Sequence, residues 1–435
     1  MQQSLGASAR TTSVSIGPDQ ARVGGRNGPP GNRTPLGNTP ARTSQAFPGS
    51  EGRTVSACSG TRCRPPDRPD NAVRPFPLGT SPSYGPLMSE NLTAPKLAFP
   101  FARPPGPGEA LQVAPGILWV RLALPFRLDH VNVYLIDDEG GWAVLDTGLG
   151  DLPTRAAWEA LLAGPLAGRP LTRLVVTHYH PDHVGSAGWL VERFGLRLYM
   201  TATEYLVSLN LHLDPGALEA EPFRRFYLEH GLDPGTTEQV VTRGHQYLKM
   251  ATGLPPSIRR LVAGDKLRIG RREFEVLTGG GHAPEQIMLL SHADGIFFSS
   301  DQVLAKISPN VSVSAIDPEG DPLGLYLRSL DALRSAVPGD VLVLPGHNLP
   351  FRGLHDRITE LEEHHELRCA EILKACRDEP KSAAELVPVL FHRPLDPHQM
   401  GFAFSEVLAH VNHMWRQGRL KLIEQPDGIV RSVAC

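Results

Sequence analysis

Thr177-His178-Tyr179-His180-Pro181-Asp182-His183-Val184-Gly185 is the stretch of this 435-residue chain that decides its fold. It places three imidazoles and one carboxylate between positions 178 and 183. An apolar run at 171–177 predicts a strand before the stretch, and helical spacing predicts a helix after it to about Phe194. Neutral imidazoles and carboxylates are ligands of zinc, so we predict a loop that converges on a metal ion. A solvated polar loop is the disfavoured alternative.

The residues before this loop predict a sheet. Short β-branched or aromatic runs at 117–124, 132–136 and 142–145 predict strands, and a turn at 137–141 joins the last two as a hairpin. Apolar residues at helical spacing over 152–166 predict a helix. This part of the chain is therefore predicted to form three strands followed by a helix, which leads to the strand before the histidine-rich loop.

Four further motifs accompany the loop in a fixed order. They are Ala143-Val144-Leu145-Asp146-Thr147-Gly148, Gly279-Gly280-Gly281-His282, Phe297-Phe298-Ser299-Ser300-Asp301 and Leu344-Pro345-Gly346-His347. Together with the His-x-His-x-Asp-His pattern at 178–183, they resemble the metallo-β-lactamase-fold superfamily over about residues 112–350. This resemblance implies an α/β fold of the αββα sandwich type.

The resemblance also implies a dinuclear metal centre with seven ligands. One metal ion would bind His178, His180 and His282. The second would bind Asp182, His183 and His347, and Asp301 would bridge the two ions. Asp146 would support the metal loop from behind, although Asp-Thr-Gly is also good turn chemistry. Zinc is the favoured metal, and iron or manganese are alternatives because mixed histidine and carboxylate sites accept all three.

The residue type at the position of Asp301 narrows the range of reactions that this fold could catalyse here. True β-lactamases carry Cys or Ser at the position of Asp301, whereas glyoxalase II, the lactonases and the phosphodiesterase branches carry Asp. We therefore predict a hydrolase in which a metal-bridging hydroxide attacks an activated carbonyl, a thioester or a lactone of a small molecule. Asp182 and Asp301 would act as ligands that hold the hydroxide. Ala283-Pro284-Glu285-Gln286 replaces the Thr-x-Gly usual in glyoxalase II, so hydroxyacylglutathione is only one candidate thioester.

Two other functions compete with this prediction. A metal-dependent phosphodiesterase or endoribonuclease acting on single-stranded RNA would use the same metal pair. Only 46 positions separate Asp301 from His347, too few for the domain inserted in the β-CASP nucleases. A net acidic folded region also disfavours nucleic acid as a partner. A binding module that sequesters metal or ligand ranks last, because all seven predicted ligands are present.

An insertion at about 202–263 interrupts the predicted catalytic domain, which spans 96–353. Its pattern is mainly helical and is broken at 214–216, 233–235 and 255–256, so it predicts a helical cap. Tyr205, Tyr227, His245 and Tyr247 could present polar groups to a substrate there. Packing of the same aromatic residues on the core is the favoured interpretation.

The C-terminal residues 354–435 predict a helical linker and a small domain. A helix at 354–376 is followed by helices at 381–391 and 405–417 and by strands at 420–424 and 428–432. This order resembles the winged-helix tail of lactamase-like relatives, among them an animal endoribonuclease. Few cations lie on the second helix, which favours packing or a homodimer over base recognition. His364, His365, His410 and His413 are predicted to be surface or packing residues.

The N-terminal tract differs in composition from the rest. Residues 1–87 contain 12 Gly and 13 Pro without apolar periodicity, which predicts disorder over about 1–95. Met88 could be the natural start, and the tract an over-long gene prediction. The tract holds ten of the 43 basic residues and four of the 46 acidic ones, so the remainder is acidic. Five cysteines without a regular pattern and no long apolar segment predict a soluble, cytoplasmic protein without membrane association.

Overall fold

The computed structural model describes residues 97–214, 221–242 and 249–435. The predicted disordered tract at 1–95 and the candidates His245 and Tyr247 lie outside these residues.

The first sheet has seven strands that follow one another in chain order. They are β1 (Leu111–Ala114), β2 (Ile117–Ala123), β3 (His130–Asp138), β4 (Gly141–Leu145), β5 (Leu171–Val175), β6 (Leu198–Met200) and β7 (Arg259–Arg260). Strands β1 to β4 pair antiparallel, and β4 to β7 pair parallel. The hairpin predicted between β3 and β4 is present, with a tighter turn than predicted because β3 continues to Asp138.

The second sheet has five strands in the order β12-β11-β10-β9-β8. They are β8 (Lys266–Ile269), β9 (Arg272–Gly279), β10 (Gln286–Ser291), β11 (Ile296–Ser300) and β12 (Leu342–Pro345). Strands β8 to β11 form an antiparallel meander, and β12 joins β11 in parallel.

Helices cover the outer faces of both sheets, and further helices form the C-terminal region. They are α1 (Leu152–Ala163), α2 (Pro181–Val184), α3 (Ala187–Phe194), α4 (Ala202–Leu213), α5 (Glu221–Glu229), α6 (Pro234–Val241), α7 (Pro322–Ala336), α8 (Leu354–Ala375), α9 (Ala383–Leu390) and α10 (Pro397–Arg416). A two-stranded sheet, β13 (Leu420–Glu424) with β14 (Val430–Ala434), follows α10.

Three apolar clusters bind these elements into four layers. Trp119 of the first sheet and Phe274 and Phe298 of the second are fully or almost fully buried between the two sheets. Trp158 of α1 packs on the outer face of the first sheet, and Tyr326 of α7 packs on the outer face of the second. Burial of such large side chains contributes about 1.5–3 kcal/mol each. The predicted αββα sandwich is confirmed.

The single helix predicted from the metal loop to Phe194 is wrong, because α2 and α3 are separate helices. Gly185 lies at the break, where the backbone of the loop packs directly on other backbone. A Cβ atom at this position would lie 2.2 Å from the Pro181 carbonyl oxygen and 2.5 Å from that of Met250. This close approach cannot be read from local helical spacing.

Helix α10 also begins eight residues before the predicted start at 405. Pro397 and Gly401 resemble helix breakers in the sequence, but Pro397 occupies the first turn, where proline needs no hydrogen-bond partner. The Asp396 carboxylate caps this turn by accepting from the Gln399 amide at 2.9 Å.

The C-terminal elements share the apolar cluster of the second sheet. Phe404 and Met414 of α10 are fully buried in the same cluster as Tyr326 and Ile358. The predicted order of two helices and a hairpin is present, and the winged-helix assignment stays a prediction. Among the described residues, no helix combines the length and hydrophobicity needed to cross a bilayer.

Candidate metal centre

The predicted ligands follow strands that end at one edge of the two sheets. His178 follows β5, His282 follows β9, Asp301 directly follows β11, and His347 follows β12. This arrangement brings motifs far apart in the sequence to one place, as expected where several strands end together.

Three imidazoles form the first group of ligand atoms. His178 Nε2 lies 2.9 Å from His180 Nδ1, and His180 Nδ1 lies 3.0 Å from His282 Nε2. One ring nitrogen can donate only one proton, so His180 Nδ1 cannot satisfy both neighbours by donating to them. A cation bound by all three nitrogens would satisfy the group.

The second group combines Asp182, His183 and His347. The Asp182 Oδ2 atom lies 3.3 Å from His347 Nε2 and 3.7 Å from His183 Nε2. Its donors are two imidazole nitrogens and one carboxylate oxygen, a set that suits zinc, iron or manganese.

Asp301 lies between the two groups. Its Oδ2 atom is 3.1 Å from His347 Nε2 and 3.5 Å from both His183 Nε2 and His282 Nε2. The Asp301 Oδ1 atom and the His183 Nε2 atom are buried without a hydrogen-bond partner. Unpaired buried polar atoms are costly, so the residues fit divalent ions at both groups.

Gly346 leaves room for this carboxylate. A Cβ atom at position 346 would lie 2.1 Å from Asp301 Oδ1 and 2.9 Å from His183 Cε1. The glycine of the Leu344-Pro345-Gly346-His347 motif is therefore needed for close packing beside the ligands.

Asp146 orients the metal loop from behind. It has a φ of 64°, a left-handed conformation that aspartate tolerates better than most residues. Its carboxylate accepts from the Thr177 amide at 2.8 Å and the Thr177 hydroxyl at 2.9 Å, and it lies 2.8 Å from His183 Nδ1. The contact with Nδ1 leaves His183 Nε2 for a metal ion, which supports the predicted role of Asp146.

His347 is oriented in the same way by His130, which was not singled out from the sequence. Its Nδ1 atom lies 2.7 Å from the carbonyl oxygen of His130, which can only accept a hydrogen bond. The Asn348 amide in turn donates to the His130 ring at 2.9 Å. Nothing in the local sequence around His130 indicates this role, because the contact spans more than 200 positions.

The charges of the centre divide its histidines into two kinds. Burial and the neighbouring imidazoles lower the pKa of His178, and burial with nearby His282 lowers the pKa of His180 to about 3. Burial would also lower the pKa of His347, but the Asp301 and Asp182 carboxylates raise it to about 10. The pKa of His183 is raised in the same way, against burial, by Asp301 and Asp182.

Glu204 joins two ligand-bearing segments and was missed in the sequence analysis. Its buried carboxylate accepts from the Tyr179 amide at 3.0 Å and from the Glu285 amide at 2.5 Å. These contacts tie the loop of His178 and His180 to the turn after His282. Burial raises the pKa of Glu204 to about 7.

The sequence does contain a signal for Glu204, which is the pattern Thr201-x-x-Glu204 at the start of α4. Thr201 caps the helix by accepting from the Glu204 amide at 3.3 Å, as in a capping box. In that motif the glutamate reaches back to the capping residue, but here it reaches the metal loop instead.

A cavity of about 350 Å³ opens beside the ligands. His180, Asp182, His282, Asp301 and His347 contribute to its floor. Its walls are mainly apolar and include Leu124, Phe126, Leu128, Leu149, Met250, Leu304, Ile307 and Phe402. A concave apolar site with a few polar groups is typical of small-molecule binding.

A second cavity of about 360 Å³ shares the walls at His180 and His282. Tyr227 of the insertion lines it, so this predicted substrate candidate does lie near the centre. Tyr205 does not line either cavity. Its buried hydroxyl donates to the Pro255 carbonyl oxygen at 2.9 Å, as the packing interpretation expects.

The remaining histidines named from the sequence lie away from the ligands. His365 and His410 are buried together among the C-terminal helices, with 3.1 Å between His365 Nδ1 and His410 Nε2. The His364 ring lies beside that of His365, and His413 Nδ1 lies 3.1 Å from the Asp321 carboxylate. These contacts are those of packing residues.

Two family models match this chain. One, described as the metallo-beta-lactamase superfamily, covers residues 126–347. The other, described as the C-terminal domain of metallo-beta-lactamase-like proteins, covers residues 369–434.

Solved structures resemble the chain over most of their length. A beta-lactamase domain protein from Burkholderia ambifaria is 41% identical, with a TM-score of 0.73 over 78% of this chain and 98% of that one. A metallo-beta-lactamase family protein from Thermus thermophilus is 29% identical, with a TM-score of 0.64 over 74% and 100% of the two chains.

Curated relatives are more distant. A Bacillus subtilis protein named "Probable metallo-hydrolase" is 24% identical over 302 residues, 68% of this chain and 91% of the relative. A hydroxyacylglutathione hydrolase from Cereibacter sphaeroides is 26% identical over 226 residues, 51% of this chain and 66% of the relative.

Proposed function

Because the chain belongs to the metallo-β-lactamase superfamily, we propose that it is a dinuclear metal-dependent hydrolase of small-molecule thioesters or lactones. The observation that carries this proposal is the position of Asp301. Its Oδ2 atom lies within 3.5 Å of histidines from both ligand groups. Two divalent ions held there would supply an activated hydroxide and polarise the carbonyl of the substrate.

The protein residues would hold and orient this centre. Asp182 and Asp301 would be occupied as ligands, so neither is available as a simple general base. Asp146 and the His130 carbonyl oxygen set which ring nitrogen of His183 and His347 faces the centre. A substrate bound against the apolar walls of the first cavity would exclude bulk water, which would strengthen electrostatic interactions at the reacting carbonyl.

The lining of the cavities supports a carbonyl substrate over a phosphodiester. None of the described residues that line either cavity is Lys or Arg. Proteins that bind single-stranded nucleic acid usually follow its backbone with a positively charged groove. A thioester substrate is also consistent with the hydroxyacylglutathione hydrolase from Cereibacter sphaeroides, although Ala283-Pro284-Glu285 departs from the Thr-x-Gly usual in glyoxalase II.

Elemental analysis of the purified protein, paired with a substrate panel, tests the proposal. The panel contains a thioester, a lactone, a nitrophenyl phosphodiester and a labelled single-stranded RNA. We expect about two zinc, iron or manganese ions per chain and turnover of a carbonyl substrate. Two metals with cleavage of RNA alone would establish the nuclease instead, and failure to bind metal after reconstitution would refute the site.

The cysteines agree with a cytoplasmic location as part of this proposal. Cys369 and Cys376 are buried free thiols, and burial raises their pKa to about 12 and about 11. Protonated buried thiols of this kind are inert and are typical of proteins in reducing compartments.

A further inference from the structure

We propose that the substrate has an apolar half and an uncharged hydrogen-bonding half, each held in one of two lobes of the site, with one wall supplied by α10. The first lobe is the cavity of about 350 Å³ and the second is that of about 360 Å³. This inference rests on the proposed hydrolase function and names the substrate class that the enzyme would select.

The two lobes meet at the metal centre. His180 and His282 line both of them, and so do Met250, His398 and Phe402. A bond positioned at the first ligand group would therefore have one substituent in each lobe. This placement is what cleavage between two chemically different halves requires.

The first lobe is suited to an apolar group. Phe126 and Phe402 are 37% and 48% exposed, although both line a concave surface beside the ligands. Large apolar side chains grouped in a cleft mark a binding site more often than an ordinary surface. An alkyl or aryl group bound there would remove both rings from water.

Helix α10 forms one wall of this lobe beside the metal centre. The His398 ring stacks on Phe126, with centroids 5.7 Å apart and an interplanar angle of 17°. The Phe402 ring meets His398 edge to face at 4.9 Å. Phe126 lies in the loop between β2 and β3, so the catalytic sandwich and the C-terminal region build the wall together.

The second lobe adds hydroxyl groups to a lining that also contains Val240, Val313 and Ala315. Tyr227, Ser312, Ser314 and Ser405 line it, and Tyr227 hydrogen-bonds Ser405. The described residues of this lining include no Asp, Glu, Lys or Arg, and only its histidines could carry a positive charge. An amide or hydroxyl group would find hydrogen-bond partners there, whereas the described lining offers no Lys or Arg side chain to a phosphate.

A series of thioesters that share one leaving group tests the apolar lobe. Acetyl, butanoyl, hexanoyl and octanoyl derivatives of N-acetylcysteamine differ only in acyl length. We expect kcat/KM to rise about threefold for each added methylene until the lobe is filled. Phe126→Ala, which alters the first lobe alone, should flatten this dependence, and Leu367→Ala, which removes an exposed leucine outside both lobes, should leave it unchanged.

A change of leaving group tests the hydroxyl lobe. Octanoyl-N-acetylcysteamine and S-butyl octanethioate are thioesters with the same acyl group, but only the first carries an amide in its leaving group. We expect the wild type to favour the amide-bearing thioester about tenfold, and Tyr227→Phe to lose most of this preference. Tyr205→Phe is the matched control, because its hydroxyl bonds Pro255 and lines neither lobe.

Binding to metal-depleted protein separates this inference from the proposed reaction. Calorimetry with 1-octanol and 1-butanol measures the apolar lobe without catalysis, and we expect octanol to bind at least tenfold more tightly. Failure to hydrolyse any thioester or lactone, with this preference intact, would refute the proposed function alone. Equal affinity for the two alcohols, or equal kcat/KM across the acyl series, would overturn the two-lobed assignment.

Discussion

For single residues, the candidate metal centre depends on the ligand atoms and on the groups that orient them. Asp301 approaches both ligand groups, and Asp146 and the His130 carbonyl oxygen orient two of the imidazoles. Outer contacts of this kind typically change metal affinity or activity by 10–100-fold when removed. Loss of such a contact should therefore change metal content as well as turnover.

Replacing a ligand should remove metal and activity together. Asp301→Ala deletes the carboxylate between the two groups, and His180→Ala deletes a nitrogen of the first group. We expect bound metal to fall below two ions per chain and kcat/KM to drop more than about a hundredfold, beyond the effect of an outer contact. Elemental analysis and turnover check this, with the exposed Asp340→Ala as control. Full metal content with retained activity would refute the ligand assignments.

Glu204→Gln should weaken the centre without touching a ligand. The glutamine amide would present its own N–H group to one of the two backbone amides that Glu204 now accepts from. We expect metal affinity to fall about 10–100-fold while the far-ultraviolet circular dichroism is kept. Competition with a chelator measures the affinity, and Glu192→Gln on the exposed face of α3 is the control. An unchanged metal affinity would show that Glu204 contributes to packing and does not support the metal centre.

Metal uptake should release protons and weaken at lower pH. Nearby carboxylates raise the pKa of His183 and raise that of His347 to about 10, despite burial, and a metal ion must displace these protons. Since protons compete for the same nitrogens, the apparent affinity should fall about tenfold or more for each unit from pH 8 to pH 6. Chelator competition across this range gives the slope, and a flat profile would contradict it.

At the scale of elements, the metal loop depends on a break between two short helices. Gly185 separates α2 from α3 where backbone atoms of three segments meet. Helical periodicity carries no information about such a contact, which explains why one helix was predicted. Helix α10 likewise begins at Pro397 and not at the predicted position 405, with Pro397 in the first turn and Asp396 as its cap.

Gly185→Ala should destabilise the protein through this contact. Its methyl group would lie 2.2 Å from the Pro181 carbonyl oxygen, and no flexible side chain is there to move away. We expect a loss of about 1–3 kcal/mol in the free energy of unfolding. Denaturant melts measure the change, with Gly235→Ala in α6 as a control that meets only an Asp233 side-chain oxygen at 3.3 Å. Equal stability of the two variants would contradict the close-packing argument.

At the scale of the whole molecule, the C-terminal region shares its core with the sandwich. Phe404, Val407 and Met414 of α10 are fully buried in the cluster that also contains Tyr326 and Ile358. The same helix supplies His398 and Phe402 to the walls beside the metal centre. Stability and substrate selection are therefore linked through one element.

Removal of residues 369–435 should accordingly expose the core of the second sheet. Each large apolar side chain that loses its cover costs about 1.5–3 kcal/mol, and several are affected at once. We expect the truncated chain to aggregate or to bind a hydrophobic dye, unlike the full chain measured beside it. A monomeric truncated chain with a cooperative thermal transition would show that the region folds apart from the sandwich.

The sequence alone determined the class of fold and the identity of the candidate ligands. His178, Asp182 and Asp301 belong to short motifs at strand ends, and such local patterns are visible without knowledge of tertiary contacts. The five ordered motifs carried the resemblance that implied the αββα sandwich. Whether the ligands bind metal stays a prediction.

Only the tertiary structure decided which distant residues support and enclose the centre. Glu204 joins two segments that carry ligands, His130 contacts the ligand His347, and Phe126 meets His398 across more than 270 positions. These contacts depend on how whole elements pack, and a residue's type and immediate neighbours do not encode the packing partner. Residue chemistry was therefore readable from the sequence, whereas the shape of the substrate site arose only when separate parts of the chain met.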